Sequence, residues 1–114
     1  MGNQVVHFQI IGKHAPSLRE FYEKAFDWKF NSVGGPADYS LVENAGLSGG
    51  IGACPEGGPG HVTFFVAVDD LASALSKIES LGAKNLSGPW PIPNGGQMAT
   101  FEDPQGQTLG LVQQ

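Results

Sequence analysis

The predicted secondary-structure elements come in the same order twice, and this repeat limits the fold more than any other feature of the chain. The first half predicts a strand over residues 4–11, an amphipathic helix over residues 16–27 and three short strands. After a glycine- and proline-rich segment at 55–60, the second half predicts a strand over 61–68, a helix over 70–81 and again three strands. The sequence therefore predicts two copies of a β-α-β-β-β unit.

Each predicted helix carries apolar residues at three- and four-residue spacing, the period of an amphipathic helix. These residues are Leu18, Phe21, Tyr22, Ala25 and Phe26 in the first helix, and Leu71, Ala74, Leu75, Ile78 and Leu81 in the second. Asp69 or Asp70 can cap the second helix, and Gly82 can end it. Each helix is thus expected to cover one face of the small sheet in its own unit.

A lone β-α-β-β-β unit leaves the other face of its sheet uncovered, so that face needs a partner. Pairing two units, within one chain or between chains, would bury this face and leave a cleft lined by inward-pointing strand residues. The prediction is one α+β domain over residues 1–114. It has a first module at about 1–54, a linker at 55–60 and a second module at about 61–114.

The composition excludes several classes of partner. Eleven acidic residues against six basic ones give a net charge of −5, which argues against a nucleic acid or an anionic membrane surface as partner. The single cysteine, Cys54, excludes an intramolecular disulfide, and no segment has the pattern of a secretory leader or the ~18 apolar residues of a membrane helix. A cytoplasmic protein is expected.

Three motifs occur in an order that is typical of one family. They are the aromatic helix end from Phe21-Tyr22 to Trp28, the helix entry Val68-Asp69-Asp70-Leu71, and the turn segment from Phe101 to Gly106. With the first strand VVHFQI, they resemble the glyoxalase-like branch of the vicinal oxygen chelate superfamily, which includes glyoxalases, bleomycin resistance proteins and dioxygenases. The resemblance implies paired modules that form a half-open barrel around a small-molecule cleft, often in a homodimer.

The same resemblance implies four positions for metal ligands, because catalytic members hold one divalent metal with His, Gln or Glu side chains from the first and fourth strands of each module. His7 fills the first position, but its counterpart in the second module is Thr63, with His61 two residues earlier on the same face. The last-strand positions fall at Gly110 and within residues 50–52, which carry no donor side chain. We therefore expect an incomplete metal site at His7 and no tightly bound cofactor, while weak binding of a divalent metal stays open.

The candidate residues for ligand binding are polar or aromatic side chains that the predicted strands would bring to the cleft. They are His7, Gln9, Tyr39, His61, Thr63, Trp90 and Met98. His7 is a candidate metal ligand, a candidate acid or base, or a hydrogen-bonding histidine of the pocket, and no catalytic residue is assigned. Trp28 is interpreted as packing behind the first helix, and Cys54 is interpreted as inert.

Three functional hypotheses follow. The first is a protein that binds a small organic ligand in the cleft without a complete metal site, and that forms a homodimer. The second is an enzyme, a metal-dependent glyoxalase-like lyase or isomerase or a ring-cleaving dioxygenase, in which His7 and His61 join ligands from another chain. The third is a module that only dimerises or docks on another protein, because a fold does not fix a function.

Overall fold

The computed structural model describes residues 2–54, 58–92 and 95–114, so part of the predicted linker at 55–60 lies outside the described residues. Within these ranges the chain has eight strands and two helices. The chain divides into two compact units, of which one comprises residues 7–63 and the other comprises residues 64–114 with the segment that precedes residue 7. None of the helices in the described ranges is long and apolar enough to span a membrane.

The first unit contains the first predicted β-α-β-β-β sequence. Its elements are β1 (Val5–Gly12), α1 (Ala15–Phe26), β2 (Phe30–Gly34), β3 (Tyr39–Val42) and β4 (Ser48–Ala53). The strand order is β2-β3-β4-β1, in which β4 runs parallel to β1 and antiparallel to β3. This arrangement places the first and fourth strands of the unit side by side, with His7 opposite Ser48 and Gln9 opposite Gly50.

Helix α1 has a well-defined start and end. His14 caps it by accepting a hydrogen bond from the Ser17 backbone N–H, and Pro16 stands in the first turn, where a proline is tolerated. The helix ends at Asp27, whose left-handed conformation has a φ of 59°. The predicted burial of the apolar residues along α1 is wrong for Phe21 and Phe26, which are exposed.

The aromatic residues at the end of α1 pack on one another and on Trp28 rather than deep in a core. The Tyr22 and Trp28 rings are stacked with centroids 5.2 Å apart, and the Phe8 ring of β1 lies 5.5 Å from Trp28. The helix side of β1 is therefore the side that carries Phe8. Because side chains alternate along a strand, His7 and Gln9 project from the opposite side of the sheet.

The second unit repeats the arrangement of the first. Its elements are β5 (His61–Ala67), α2 (Leu71–Ser80), β6 (Lys84–Pro91), β7 (Gln97–Glu102) and β8 (Thr108–Gln113). The start of β5, residues 61–63, belongs to the first compact unit, and Val5 and Val6 of β1 belong to the second. The strand order is β5-β8-β7-β6, with β5 parallel to β8 and the other neighbours antiparallel. The predicted α+β class built from two β-α-β-β-β modules is confirmed.

Helix α2 packs on its own sheet through a small apolar core. Leu71 and Leu75 of the helix contact Ala99 of β7 and Leu111 of β8. The cap is Asp70 rather than Asp69, because the Asp70 carboxylate accepts a hydrogen bond from the Ser73 backbone N–H at 3.1 Å. The predicted packing of Leu81 is wrong, since the helix has ended before it and its side chain is 68% exposed.

The first of the three strands predicted after the second helix lies near residues 84–86 by sequence, but β6 continues from Lys84 to Pro91. β6 lies at the edge of its sheet, and its pairing with β7 shifts register twice, between Asn85 and Ser87 and between Ser87 and Trp90. An edge strand with bulges tolerates prolines because some of its backbone N–H groups have no partner strand. The prolines around Trp90 therefore do not end the strand.

Candidate functional site

Three strands of the first unit bring four polar side chains together on the side of the sheet that faces away from α1. The His7 Nδ1 atom lies 2.9 Å from the Ser48 hydroxyl, and its Nε2 atom lies 3.0 Å from the Tyr39 hydroxyl. The Tyr39 hydroxyl also donates to Oε1 of Gln9, at 3.3 Å. We call these four residues, Gln9, His7, Tyr39 and Ser48, the His7 network.

The donors and acceptors of the His7 network fit one consistent direction. With the Tyr39 hydroxyl donating to Gln9, its contact with His7 fits the neutral imidazole tautomer that carries the proton on Nε2. Nδ1 then accepts from the Ser48 hydroxyl. The chain of hydrogen bonds runs from Ser48 through His7 and Tyr39 to the Gln9 carbonyl oxygen, and the Gln9 amide group can donate beyond it.

Two glycines of β4 provide the surface on which the Tyr39 ring lies. A Cβ atom at Gly50 would overlap the Tyr39 hydroxyl, and one at Gly52 would come within 2.9 Å of Tyr39 Cδ1. Both glycines are buried. The ring can therefore lie across β4 only because these positions have no side chain.

The turn before β3 fixes the backbone position of Tyr39. Asp38 has a left-handed conformation with a φ of 48°, and Arg19 of α1 donates to both its carbonyl oxygen (3.1 Å) and its carboxylate (3.3 Å). This contact ties the helix to the residue directly before Tyr39. Because backbone position sets side-chain direction, the ion pair helps to hold the phenol in the His7 network.

Burial keeps the two titratable groups of the network neutral. It lowers the pKa of the His7 imidazole below its ordinary value of 6.5, and it raises the pKa of the Tyr39 phenol to about 12. At neutral pH both side chains are therefore uncharged. The His7 network presents hydroxyl, amide and imidazole groups without a formal charge.

In each unit an aromatic ring lies against the equivalent glycine of the last strand. In the first unit Gln9 pairs with Gly50 across parallel strands, and in the second Phe65 pairs with Gly110. A Cβ atom at Gly110 would overlap the Phe65 ring, as one at Gly50 would overlap Tyr39. The last-strand positions at which the family resemblance implies a metal ligand, Gly110 and one within residues 50–52, thus have an aromatic ring of the same unit beside them.

The other residues predicted to bind a ligand lie on different elements. Thr63 is buried on β5, whereas His61 is exposed at the start of that strand. Trp90 is 55% exposed and faces Met98 across the β6 and β7 pair. Ser48 was not among the predicted residues, because its place beside His7 follows from the parallel register of β1 and β4, which sequence periodicity does not fix.

The second unit has an open pocket with a volume of about 470 Å³. It lies between α2 and the sheet, and none of the residues predicted to bind a ligand lines it. Its apolar lining residues are Val66, Val68, Ala74, Ile78, Phe101 and Leu111. Most of these side chains pack against the core under α2, so this pocket is the open margin of that core.

The donor set at His7 does not suit a tightly held transition metal. Ser48 and Tyr39 place hydroxyl groups at its two ring nitrogens, whereas zinc-type sites use at least three imidazole, thiolate or carboxylate ligands. Within residues 2–54, 58–92 and 95–114, no three His, Cys, Asp or Glu side chains are grouped so that they could hold a metal ion.

Two β-α-β-β-β modules, each with its first and fourth strands paired in parallel, define a protein of the paired-module class that the sequence motifs indicated. The chain belongs to the Glyoxalase/Bleomycin resistance protein/Dioxygenase superfamily, whose family model matches residues 4–111. The predicted family is thereby confirmed.

Among curated proteins, the chain is similar to "Putative glyoxylase CFP32" from Mycobacterium bovis and from Mycobacterium tuberculosis. It is 27% identical to each over 105 residues, which cover 85% of this chain and 40% of the relative. The chain thus spans about two fifths of the length of the curated relatives it matches.

Solved structures share the fold at low sequence identity. Hypothetical protein BH1468 from Bacillus halodurans matches with a TM-score of 0.78 and 11% identity, covering 100% of this chain and 96% of that one. The methylmalonyl-CoA epimerase of Mycobacterium tuberculosis matches with a TM-score of 0.72 and 12% identity, covering 96% and 86%. That of Streptomyces coelicolor, in complex with 2-nitronate-propionyl-CoA, matches at 0.70 and 13%, covering 97% and 94%.

Proposed function

We propose that this protein binds a small, partly apolar organic ligand at the His7 network, and that it does so without a complete metal site. The observation that supports the proposal most directly is the set of hydrogen bonds that joins both nitrogens of His7 to the neutral hydroxyl groups of Ser48 and Tyr39. His7 stands at the first position where the family resemblance places a metal ligand.

The position of the network supports ligand binding over a purely structural role. Ligand sites combine an apolar surface with a few polar groups that fix orientation. The His7 network is half-buried on a sheet face away from α1, and the Tyr39 ring, which lies across the buried glycines of β4, adds apolar surface beside it. The Gln9 amide and the exposed Ser48 hydroxyl would then contact polar atoms of the ligand.

The remaining predicted residues, Thr63, His61, Trp90 and Met98, belong to the proposal as further contacts with the ligand. Thr63 and His61 lie on one face of β5, since they are two residues apart on a strand. Trp90 offers a large, half-exposed aromatic surface with one N–H donor, which suits the rim of a site.

The proposal is tested by titrating the ¹⁵N-labelled protein with a panel of small carbonyl-containing compounds and following amide and imidazole NMR signals. We expect a ligand to shift the signals of His7, Gln9 and Ser48. The His7→Ala variant should then bind it more weakly by about 1–3 kcal/mol, the range for loss of a buried hydrogen-bonding group. His14→Asn is the matched control, because it replaces an exposed histidine with another good helix cap.

A response of the Gln9 and Ser48 signals that persists unchanged in His7→Ala would contradict the proposal. So would ligands that shift only signals of the second unit. Full affinity in His14→Asn, together with loss in His7→Ala, would separate a direct role of His7 from a general loss of stability.

The alternative is a metal-dependent lyase, isomerase or ring-cleaving dioxygenase. Proteins similar to this chain include "Putative glyoxylase CFP32" and methylmalonyl-CoA epimerases, and these names favour enzyme chemistry. It would require His7 and His61 to join ligands from another chain. Turnover that depends on an added divalent metal, and that is lost in both His7→Ala and His61→Ala, would favour this alternative over the binding protein.

A homodimer in the cytoplasm completes the proposal. Members of this superfamily often pair, and pairing would cover sheet surface that a single chain leaves open. Light scattering at micromolar concentration should give about twice the 12.0 kDa mass of the chain. A mass of about 12 kDa across that concentration range would contradict this part of the proposal and leave the ligand site unaffected.

A further inference from the structure

We infer that Tyr39 is the specificity-determining residue of this site, because its phenol fills the place of the side chain that position 50 lacks and offers His7 a hydroxyl group there instead of a metal ligand. The inference rests on the proposed function in placing a ligand at the His7 network. Its tests need no organic ligand, so it can fail independently of that proposal.

The present position of Tyr39 and a side chain at position 50 exclude each other sterically. A Cβ atom at Gly50 would overlap the Tyr39 hydroxyl, and a Cβ atom at Gly52 would come within 2.9 Å of the same ring. Heavy atoms that are not bonded to each other do not approach this closely without displacement. A glutamate or glutamine at position 50 therefore cannot coexist with the present position of Tyr39.

The hydrogen bonds of the His7 imidazole also compete with a metal ion. A metal ion binds the lone pair of an imidazole nitrogen, but each ring nitrogen of His7 already faces a hydroxyl group, and in the tautomer that fits the network Nε2 donates its proton to Tyr39. The lone pair on Nδ1 accepts from Ser48 at 2.9 Å. A metal would have to displace a hydroxyl group at either nitrogen, and displacement at Nε2 would also move the proton to Nδ1.

The second unit also has an aromatic ring against the equivalent glycine, although that ring comes from the directly paired strand residue and not from the third strand. Gly110 corresponds to Gly50 in the register of its parallel strand pair, and the Phe65 ring occupies the volume beside it. Phe65 carries no polar group, whereas Tyr39 carries the hydroxyl that bonds His7. Aromatic filling is thus common to both units, and the polar contact is specific to Tyr39.

The consequence is a choice of ligand class. The His7 network is uncharged and ends in the Gln9 amide, so it suits an uncharged oxygen group such as a carbonyl or hydroxyl. It does not suit a pair of oxygens that chelate a metal. Tyr39 makes this choice because its ring fills the volume at position 50 and its hydroxyl bonds Nε2 of His7.

The first test uses Zn²⁺ alone, titrated into untagged protein while the imidazole NMR signals of the three histidines are followed. The exposed His14 and His61 serve as internal references. In the wild type, we expect His7 to respond at Zn²⁺ concentrations no lower than the references do. In Tyr39→Ala, His7 should respond at concentrations up to about tenfold lower, which corresponds to about 1.4 kcal/mol.

The double variant Tyr39→Ala/Gly50→Glu should respond at still lower Zn²⁺ concentrations, by at least about a further tenfold, because a carboxylate can now stand beside His7. The inference is overturned if wild-type His7 binds Zn²⁺ more than about tenfold tighter than both references. It is also overturned if the response of His7 is the same in the wild type and in Tyr39→Ala.

A second test measures stability and needs no metal. Gly50→Ala should lower the denaturant midpoint in the wild type, but much less in the Tyr39→Ala background, because the clashing phenol is gone. Gly49→Ala is the matched control, since its Cβ atom would overlap the Phe8 ring instead and should cost the same in both backgrounds. An equal loss from Gly50→Ala in both backgrounds would overturn the inference.

Discussion

The Tyr39 hydroxyl lies 3.0 Å from Nε2 of His7 and occupies the volume that a side chain at Gly50 would fill. This single contact links β1, β3 and β4 on the face away from α1. The Tyr39 ring fills the space beside Gly50, and its hydroxyl is a partner of the His7 imidazole. Under the proposed function, this contact stands in place of the metal ligand that the family resemblance implies on the last strand.

Because Tyr39 is buried, we predict that its ionisation is a separate, late step in the alkaline titration of the protein. Burial raises the pKa of Tyr39 to about 12, so its phenolate should form only at strongly alkaline pH. Spectrophotometric titration near 295 nm should show a step near pH 12 that is absent in Tyr39→Phe. A wild-type titration that is complete by about pH 10.5 would show that Tyr39 is not held as described.

The burial of His7 predicts a loss of stability in mild acid. Its pKa in the folded state is lowered below 6.5, so the unfolded chain takes up the proton first as the pH falls. The stability that the neutral imidazole contributes is therefore present above pH 6.5 and is lost as the pH falls through the folded-state pKa. Carboxylates also titrate in acid, so the wild type must be compared with His7→Gln.

Denaturant unfolding at a series of pH values from about 7.5 to 5 measures this effect. The wild type should lose more of its free energy of unfolding over this range than His7→Gln does. Parallel pH profiles for the two proteins would show that His7 has the same pKa folded and unfolded.

The cap of α2 predicts a difference between two adjacent aspartates. Asp70→Ala removes the acceptor of the Ser73 N–H and should lower the free energy of unfolding by about 0.5–2 kcal/mol. Asp69→Ala, an exposed substitution one residue earlier, should change it by no more than about 0.5 kcal/mol. Chemical denaturation of both variants distinguishes them, and an equal loss would show that the cap is not specific to Asp70.

The sequence predicts the repeat, both helices and the shared face of His7 and Gln9, because each depends on local periodicity. It does not predict Ser48 as a partner of His7, since that contact depends on how β4 is registered against β1 across some forty residues. It overestimates the burial of Phe21 and Phe26, because periodicity shows that a helix has an apolar side but not how much of that side the sheet covers.

The length of β6 shows a related limit. Prolines in the sequence argue against a strand, but they do so only where neighbours on both sides need their N–H groups. β6 has one neighbour, so the strand continues through Pro89 to Pro91. An edge position is a property of the whole sheet, and it is not encoded in the local pattern of residues.

We proposed that His7 belongs to a hydrogen-bonding site and not to a metal site. The metal content of untagged protein, measured by elemental analysis after dialysis, tests this proposal most directly. We predict well below one transition-metal ion per chain, with no difference between the wild type and His7→Ala. A single imidazole falls short of the three protein ligands of zinc-type sites. Stoichiometric zinc, nickel, manganese or iron that survives dialysis and is lost in His7→Ala would contradict it.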